Sequence, residues 1–201
     1  DPEGLIELLG GDEEFNKKLD ELFSMSSELG DEASMDITGL IGQYAHGNEP
    51  SHHTTYMYAY SGEHYKIADK VRYINNELYT DQPDGLSGNE DCGQMSAWYI
   101  LSSMGFYPVN PSNGAYVFGS PLFDEVVLDI PGQKQFKISA KNNSDKNIYI
   151  QSVSLNGEDH KYSYITHKEI LKGGELEFTM GPKPNKDFGK EKKYRPESIV
   201  Y

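Results

Sequence analysis

The sequence predicts an α+β fold in which helices come first and a mainly antiparallel β-sheet layer follows. Apolar residues recur with a helical period up to Met104, whereas after Pro108 they alternate in short runs separated by Gly, Asn and Pro. Helices that precede strands, rather than alternating with them, indicate the α+β class. We therefore expect a helical part over residues 1–108, an antiparallel β part over 109–181 and an extended tail over 182–201.

The helical part carries start and stop signals. Pro2 is typical of a helix start, Gly10-Gly11 ends that first helix, and Asp12 is the expected N-cap of the second. Residues 24–50 have no clean helical or strand period. Further helices are predicted over Thr54–Tyr60, Glu63–Tyr79 and Gln94–Met104, the last ended by Gly105.

The β part is predicted from short runs of β-branched and aromatic residues. Asn156-Gly157 is a strong signal for a two-residue hairpin turn, and Gly173-Gly174 indicates a turn before a last strand. Strands are expected over the ranges Tyr116–Phe118, Glu125–Ile130, Phe136–Ala140, Ile148–Leu155 and Leu176–Met180.

The chain is strongly acidic, which limits its partners. It has 201 residues with a formal net charge of −14, and residues 1–50 hold 13 acidic side chains. Because nucleic-acid binding needs a basic face, we expect no nucleic-acid partner. No apolar run approaches the roughly 18 residues of a membrane span, so we expect no membrane partner either. The basic residues of 183–197 are expected to dock on the protein's own acidic face or on a sister domain.

A polar turn at His46–His53 is the first candidate site. Its sequence, His-Gly-Asn-Glu-Pro-Ser-His-His, has no His-Glu-x-x-His zinc pattern. The side-chain oxygens of Asn48 and Glu49 suit a hard cation, which favours Ca²⁺. The alternative is a capping network, in which Ser51 caps the following helix and the histidines are hydrogen-bonded. Spacing alone leaves both interpretations open.

A Gly-rich acidic loop is the second candidate site. The loop begins at Pro83 and contains Asp84, Glu90 and Asp91. It leads into the helix that carries the only Trp. These carboxylates either cap the helix and complement its dipole, or one of them acts as a general base. The neighbouring carboxylates disfavour a thiolate at Cys92, so we do not expect a cysteine nucleophile. The Tyr-rich surroundings would suit sugar rings, although tyrosines at helical spacing also build cores.

Both candidate segments carry a family resemblance. The residues concerned read GQYAHGNEPSHHTTYMYAYSGEHYK, VRYINNELYTDQPDGLSGNEDCGQMSAWYILSSMGFYPVNPSNGAYVFGSPLFDEV and NNSDKNIYIQSVSLNGE. They resemble the C-terminal part of glycoside hydrolase family 92, a family of calcium-dependent, inverting exo-α-mannosidases. The resemblance runs from the first residue to about Pro184. It implies helices from the end of an (α/α)6-type barrel, followed by antiparallel strands.

The resemblance also implies roles for individual residues. Asn48 and Glu49 match the calcium-site positions, where the ion would bind the mannose 2- and 3-hydroxyls. Asp91 matches the general base that activates water. Asn89 stands where many members have a second Asp, and its amide cannot share a negative charge with Asp91. Candidate substrate-binding residues in the polar turn are His46, His52 and His53.

Two functional hypotheses follow. The family's general acid would lie just before Asp1, so the leading hypothesis is a C-terminal fragment of an α-mannosidase. Such a fragment would act on terminal α-mannosides of glycans only together with the missing N-terminal part of the same enzyme, and would be inactive alone. The alternative is a stand-alone calcium-dependent carbohydrate-binding or interaction module without catalysis. The resemblance implies a periplasmic or extracellular location.

Overall fold

The computed structural model describes residues 1–28, 30 and 37–198. Within them, the helices are α1 (Pro2–Leu8), α2 (Asp12–Ser24), α3 (Lys66–Glu77), α4 (Gln94–Met104) and α5 (His167–Ile170). Short 3-10 helices span Glu49–Ser51, Thr54–Ala59 and Lys192–Tyr194. The strands are β1 (Leu40–Ile41), β2 (Tyr44–Ala45), β3 (Phe106–Tyr107), β4 (Ala115–Phe118), β5 (Glu125–Ile130), β6 (Lys134–Lys141), β7 (Tyr149–Leu155), β8 (Glu158–Asp159), β9 (Tyr164–Thr166) and β10 (Gly174–Gly181). The order of these elements confirms the α+β class.

The helical part follows its sequence signals except at the cap of α2 and in the Thr54–Ala59 segment, which is a 3-10 helix. The predicted N-cap of α2, Asp12, is wrong, because Gly11 takes that position with φ 99° and ψ −176°. Only glycine adopts this backbone conformation readily, so Asp12 moves into the first helical turn, where its charge complements the helix dipole. Helix α4 is confirmed from Gln94 to Met104, and Gly105 ends it with a φ of 103°.

One small element lies in the stretch that showed no period. Strands β1 and β2 form a two-stranded antiparallel ribbon in which Leu40 faces Ala45 and Ile41 faces Tyr44. Two-residue strands are too short to produce an alternating pattern. Residues 29 and 31–36 of the same stretch lie outside the described residues.

The strands after α4 form a five-stranded sheet with the order β5-β6-β10-β7-β8 and a three-stranded sheet with the order β3-β4-β9, whose first strand lies just before the predicted boundary at 108. All neighbouring strands are antiparallel except β6 and β10, which are parallel. The predicted hairpin turn is confirmed: Asn156 and Gly157 join β7 to β8 with positive φ of 54° and 82°. Such φ values favour Asn and Gly, which explains this residue pair.

Among the residues that the structure describes, two hydrophobic clusters form the interior and meet at the C-terminal end of α4. An aromatic cluster packs the helical part around the fully buried Trp98. The second cluster packs the sheets around Phe136 and Phe178. Met104 and Phe106, on either side of Gly105, belong to the second cluster. Helix α4 therefore connects the sheet core to the loop that precedes its first residue.

The basic tail packs on the acidic first helices, as the charge distribution predicted. Lys192 pairs with Glu3 at 2.5 Å, and Arg195 pairs with Asp12 at 2.7 Å. The Arg195 side chain also donates to the backbone carbonyls of Tyr60 and Lys190. Residues 199–201 lie outside the described residues, and the boundaries at 108 and 181 stay predictions.

In the described ranges, no helix is both long and apolar enough to cross a membrane.

Candidate active site

The polar turn presents two oxygen-bearing side chains to its surface. Asn48 is extended and exposed, and Glu49 begins a 3-10 helix with Pro50 at its second position and is half-buried. Among the described residues, neither side chain makes a hydrogen bond. Two free oxygen donors on a proline-stiffened turn fit a calcium ion, which takes about six to eight oxygen ligands. These two side chains would fill only part of such a coordination sphere.

The histidines of this turn have different environments. His46 is fully buried, with Nδ1 2.8 Å from the Tyr44 hydroxyl and Nε2 2.7 Å from the Tyr79 hydroxyl. Burial, and secondarily the neighbouring His52, lowers the pKa of His46 to about 3. His52 is buried beside it, with ring centroids 4.7 Å apart, whereas His53 is exposed. Contact of these histidines with a sugar stays a prediction.

The capping interpretation of the polar turn is confirmed in one part and wrong in another. His46 and His52 are hydrogen-bonded within the protein, as that interpretation required. Ser51 does not cap the next helix, because His53 takes the N-cap position of the Thr54–Ala59 helix without a side-chain cap. That helix is 3-10 rather than α and begins only at Thr54, whereas Ser51 is the last residue of the preceding 3-10 helix, Glu49–Ser51.

The acidic loop ends in a strained backbone. Asp91 and Cys92 have φ of 50° and 59°, and Gly93 follows with a φ of 89°. Left-handed conformations of non-glycine residues cost about 1–3 kcal/mol each and occur often at functional sites. Gly93 is the N-cap of α4 and offers no side-chain cap, so Asp91 does not serve as a capping residue in the usual way.

Adjacent acids in this loop have different partners. The Glu90 carboxylate accepts hydrogen bonds from the Ser96 N–H at 3.0 Å and from the Ser96 hydroxyl at 2.8 Å. Asp91 and Asn89 are both exposed. The capping role that the sequence left open is therefore taken by Glu90, while the Asp91 carboxylate remains accessible.

The polar turn and the acidic loop lie side by side. The Thr38 hydroxyl donates to the Ser87 carbonyl at 3.0 Å. A Cβ atom at Gly47 would lie 2.0 Å from the Thr38 hydroxyl oxygen and 2.2 Å from the Ser87 carbonyl oxygen. Only glycine fits at this approach, which explains the Gly of the Gly-Asn-Glu-Pro sequence. A cavity of about 260 Å³ lies between the polar turn, α4 and residues 107–111, and its lining includes Glu49, His53 and Gln94.

Three residues that hold the site together were not predicted from the sequence. Tyr79 binds His46, Trp98 donates from Nε1 to the His52 carbonyl at 3.1 Å, and Gln94 bonds to the His52 ring. In the sequence, Trp98 stands out only as the single tryptophan of the chain. No local pattern links these residues to the histidines.

Other features of the described residues lie away from this junction. A cavity of about 960 Å³ lies between α1, β9 and the tail, and the Arg195–Asp12 and Lys192–Glu3 ion pairs line it. It includes no residue of the polar turn or the acidic loop. Among the described residues, no group of three or more His, Cys, Asp or Glu is placed to hold a metal ion.

Glycoside hydrolases use a pair of Asp or Glu carboxyl groups that flank the scissile bond, and the exposed Asp91 carboxylate is available for one of these roles. The chain belongs to glycosyl hydrolase family 92, since the model described as "Glycosyl hydrolase family 92 catalytic domain" matches residues 1–182. The match includes the polar turn, the acidic loop and both sheets.

Solved structures and a curated relative agree with this family. A family GH92 alpha-mannosidase from Bacteroides thetaiotaomicron, in complex with mannoimidazole, is 42% identical with a TM-score of 0.92, over 99% of this chain and 26% of that chain. A family GH92 inverting mannosidase from Bacteroides thetaiotaomicron VPI-5482 is 39% identical with a TM-score of 0.85, over 98% of this chain and 28% of that chain. An "Uncharacterized secreted glycosidase" from Arthroderma benhamiae is 31% identical over 180 residues, 88% of this chain and 21% of the relative. The chain thus spans about a quarter of its solved relatives.

Proposed function

We propose that this chain forms part of the active site of a longer, inverting, calcium-dependent α-mannosidase that hydrolyses terminal α-mannosides of glycans. The observation that carries the proposal is the likeness, at 42% identity, to an alpha-mannosidase in complex with mannoimidazole. A second relative at 39% identity is described as an inverting mannosidase. Both relatives contain the equivalent of this chain as about a quarter of their length.

Asp91 is the proposed general base. Its side chain is exposed at the end of the acidic loop, just before α4. In an inverting reaction this carboxylate takes a proton from water as the water attacks the anomeric carbon, while a separate acid protonates the leaving oxygen. The two carboxyl groups lie about 6.5–9.5 Å apart in such enzymes. We propose that the acid comes from residues outside this chain.

Asn48 and Glu49 are the proposed protein ligands of calcium. When bound, the ion would supply a positive charge and free coordination positions for sugar hydroxyls. Because calcium takes about six to eight oxygen ligands and these two side chains supply only part of them, we propose that further residues complete the site. The partners of this chain are then the α-mannoside glycan and the remainder of the same enzyme.

The proposed location is periplasmic or extracellular. The curated relative from Arthroderma benhamiae is described as secreted, which supports a role outside the cytoplasm.

The test is hydrolysis of an α-mannoside by the complete enzyme, compared with the same assay on residues 1–201 alone. We expect the complete enzyme to release β-mannose first, as NMR of the anomeric proton would record, and the isolated chain to release none. First release of α-mannose would contradict inversion, and turnover by the isolated chain would contradict the assignment of the acid. Calcium-dependent binding without any hydrolysis by the complete protein would favour the carbohydrate-binding module instead.

A further inference from the structure

One residue is attached to both halves of the site. Gln94 is the first residue of α4, three positions after Asp91. Its backbone N–H donates to the Asp91 carbonyl at 3.2 Å. Its side-chain Nε2 lies 3.1 Å from His52 Nδ1 and 3.1 Å from the Tyr107 hydroxyl. An amide NH₂ group has two hydrogens, so it can donate to both acceptors at once.

The contact with Gln94 fixes the tautomer of His52. Because Nδ1 accepts a hydrogen bond, the ring proton lies on Nε2, which donates to the His46 carbonyl at 2.9 Å. The hydrogen bond from His52 to the His46 carbonyl joins the two ends of the segment that contains Asn48 and Glu49. His52 is 1% exposed, so no solvent group competes for either nitrogen.

The left-handed backbone at Asp91 must also be held in place by hydrogen bonds from neighbouring residues. Asp91 and Cys92 occupy left-handed conformations, which their neighbours must stabilise. Two backbone bonds fasten this strained segment to α4, from Gln94 N–H to the Asp91 carbonyl and from Met95 N–H to the Glu90 carbonyl. Gln94 therefore holds the acidic loop with its backbone and the polar turn with its side chain.

We infer that Gln94 is a positioning residue that keeps the Asn48–Glu49 turn and the Asp91 carboxylate in a fixed relation through its hydrogen bond to His52. This inference rests on the proposed function, in which those two groups act on the same sugar. Groups that orient metal ligands from behind typically change metal affinity or activity about 10–100-fold when removed.

Gln94→Met tests the inference, because it keeps an unbranched side chain of similar size and removes both donors. Tyr107→Phe is the matched control, since it removes the other acceptor of the same amide and leaves the His52 bond in place. Calcium affinity is measured by titration calorimetry on the complete enzyme without substrate, and turnover at saturating calcium. For Gln94→Met we expect calcium affinity or turnover to fall about 10–100-fold, and for Tyr107→Phe about threefold at most.

A second measurement reads the hydrogen bond itself. In the complete enzyme labelled with ¹⁵N-histidine, the resonances that His52→Asn removes should show the Nε2–H tautomer in the wild type and a changed tautomer balance in Gln94→Met. An Nδ1–H tautomer in the wild type would overturn the inference, as would wild-type calcium affinity and turnover in Gln94→Met or equal losses in the two variants. Failure of the proposed function would give a different result: the wild-type enzyme would be fully active in excess chelator, or the Asp91→Asn variant would be fully active. The tautomer of His52 would still decide the role of Gln94 in that case.

Discussion

The Glu90 carboxylate is bound to Ser96 by two hydrogen bonds, one from the backbone N–H and one from the hydroxyl. This pairing directs Glu90 towards the first turn of α4, where a negative charge is favourable. Its neighbour Asp91 is exposed on a left-handed backbone. The two adjacent acids thus differ in their hydrogen-bond partners. This difference is the basis for proposing Asp91, rather than Glu90, as the general base.

Removing calcium should abolish the activity of the complete enzyme, and adding calcium back should restore it. Glu49→Gln should raise the calcium concentration needed for half-maximal activity at least about 10-fold, because a charged oxygen ligand becomes a neutral one. The measurement is mannoside hydrolysis against free calcium in a buffered chelator. Asp84→Asn, which changes an exposed carboxylate of the acidic loop, is the control and should respond as the wild type does. Full activity in excess EDTA would contradict the calcium assignment.

His64 should make the fold less stable in mild acid. Its buried ring packs against Phe188 and lies with Nε2 2.9 Å from the Phe118 carbonyl, and burial lowers its pKa from 6.5 to about 4. The unfolded chain therefore binds a proton more readily than the folded one, so stability present above pH 6.5 is lost as the pH falls towards 4. At about 1.4 kcal/mol per pH unit, His64 should lower the free energy of unfolding by about 2 kcal/mol between pH 7 and pH 5.

Urea unfolding at pH 7 and pH 5 measures this effect. His64→Gln retains a donor for the Phe118 carbonyl but has no titratable ring, so its unfolding free energy should change less between the two pH values. The carboxylates common to both proteins cancel in this comparison. Equal pH dependence of the wild type and His64→Gln would show that His64 is not the responsible group.

The tail should stabilise the fold through Arg195 rather than through its lysines. The Arg195 side chain is only 11% exposed and bonds to Asp12 and to two backbone carbonyls. Arg195→Met should lower the free energy of unfolding by about 2 kcal/mol, since it leaves those carbonyls without their charged donor. Lys192→Met removes an exposed pair with Glu3 and should have no measurable effect. Thermal or urea unfolding of both variants checks this, and equal losses would contradict it.

Sequence signals of one or two residues correctly predicted the helix end and the hairpin turn whose backbone conformation depends on those residues alone. Gly105 ends α4 and the Asn156-Gly157 pair turns the β7–β8 hairpin, because each position needs a positive φ. The same reasoning failed at Asp12, where the preceding Gly11 could adopt a cap conformation closed to other residues. Which residue takes a cap position depends on the adjacent residues as well, and the sequence alone did not show whether Gly11 or Asp12 would take it.

The site itself was predicted only in its parts. The polar turn and the acidic loop were each recognised from their composition. Only the family resemblance assigned them to one site, and it did not indicate which of their residues touch. Gln94 and His52 are 42 residues apart, and their contact depends on how α4 packs against the turn. The close approach of Gly47 to Ser87 is of the same kind. Contacts between distant segments have no period in the sequence, so they emerge only from the packed fold.

The most direct test of the account compares turnover of Asp91→Asn and Glu90→Gln in the complete enzyme. Asp91→Asn keeps the shape of the side chain and removes the base, so kcat for an α-mannoside should fall about 10²–10⁴-fold. KM should change little, since the base acts mainly in the transition state. Glu90→Gln, which disturbs only the contact with Ser96, should cost noticeably less. Near-wild-type kcat in Asp91→Asn, or equal losses in both variants, would contradict the assignment of Asp91 as the general base.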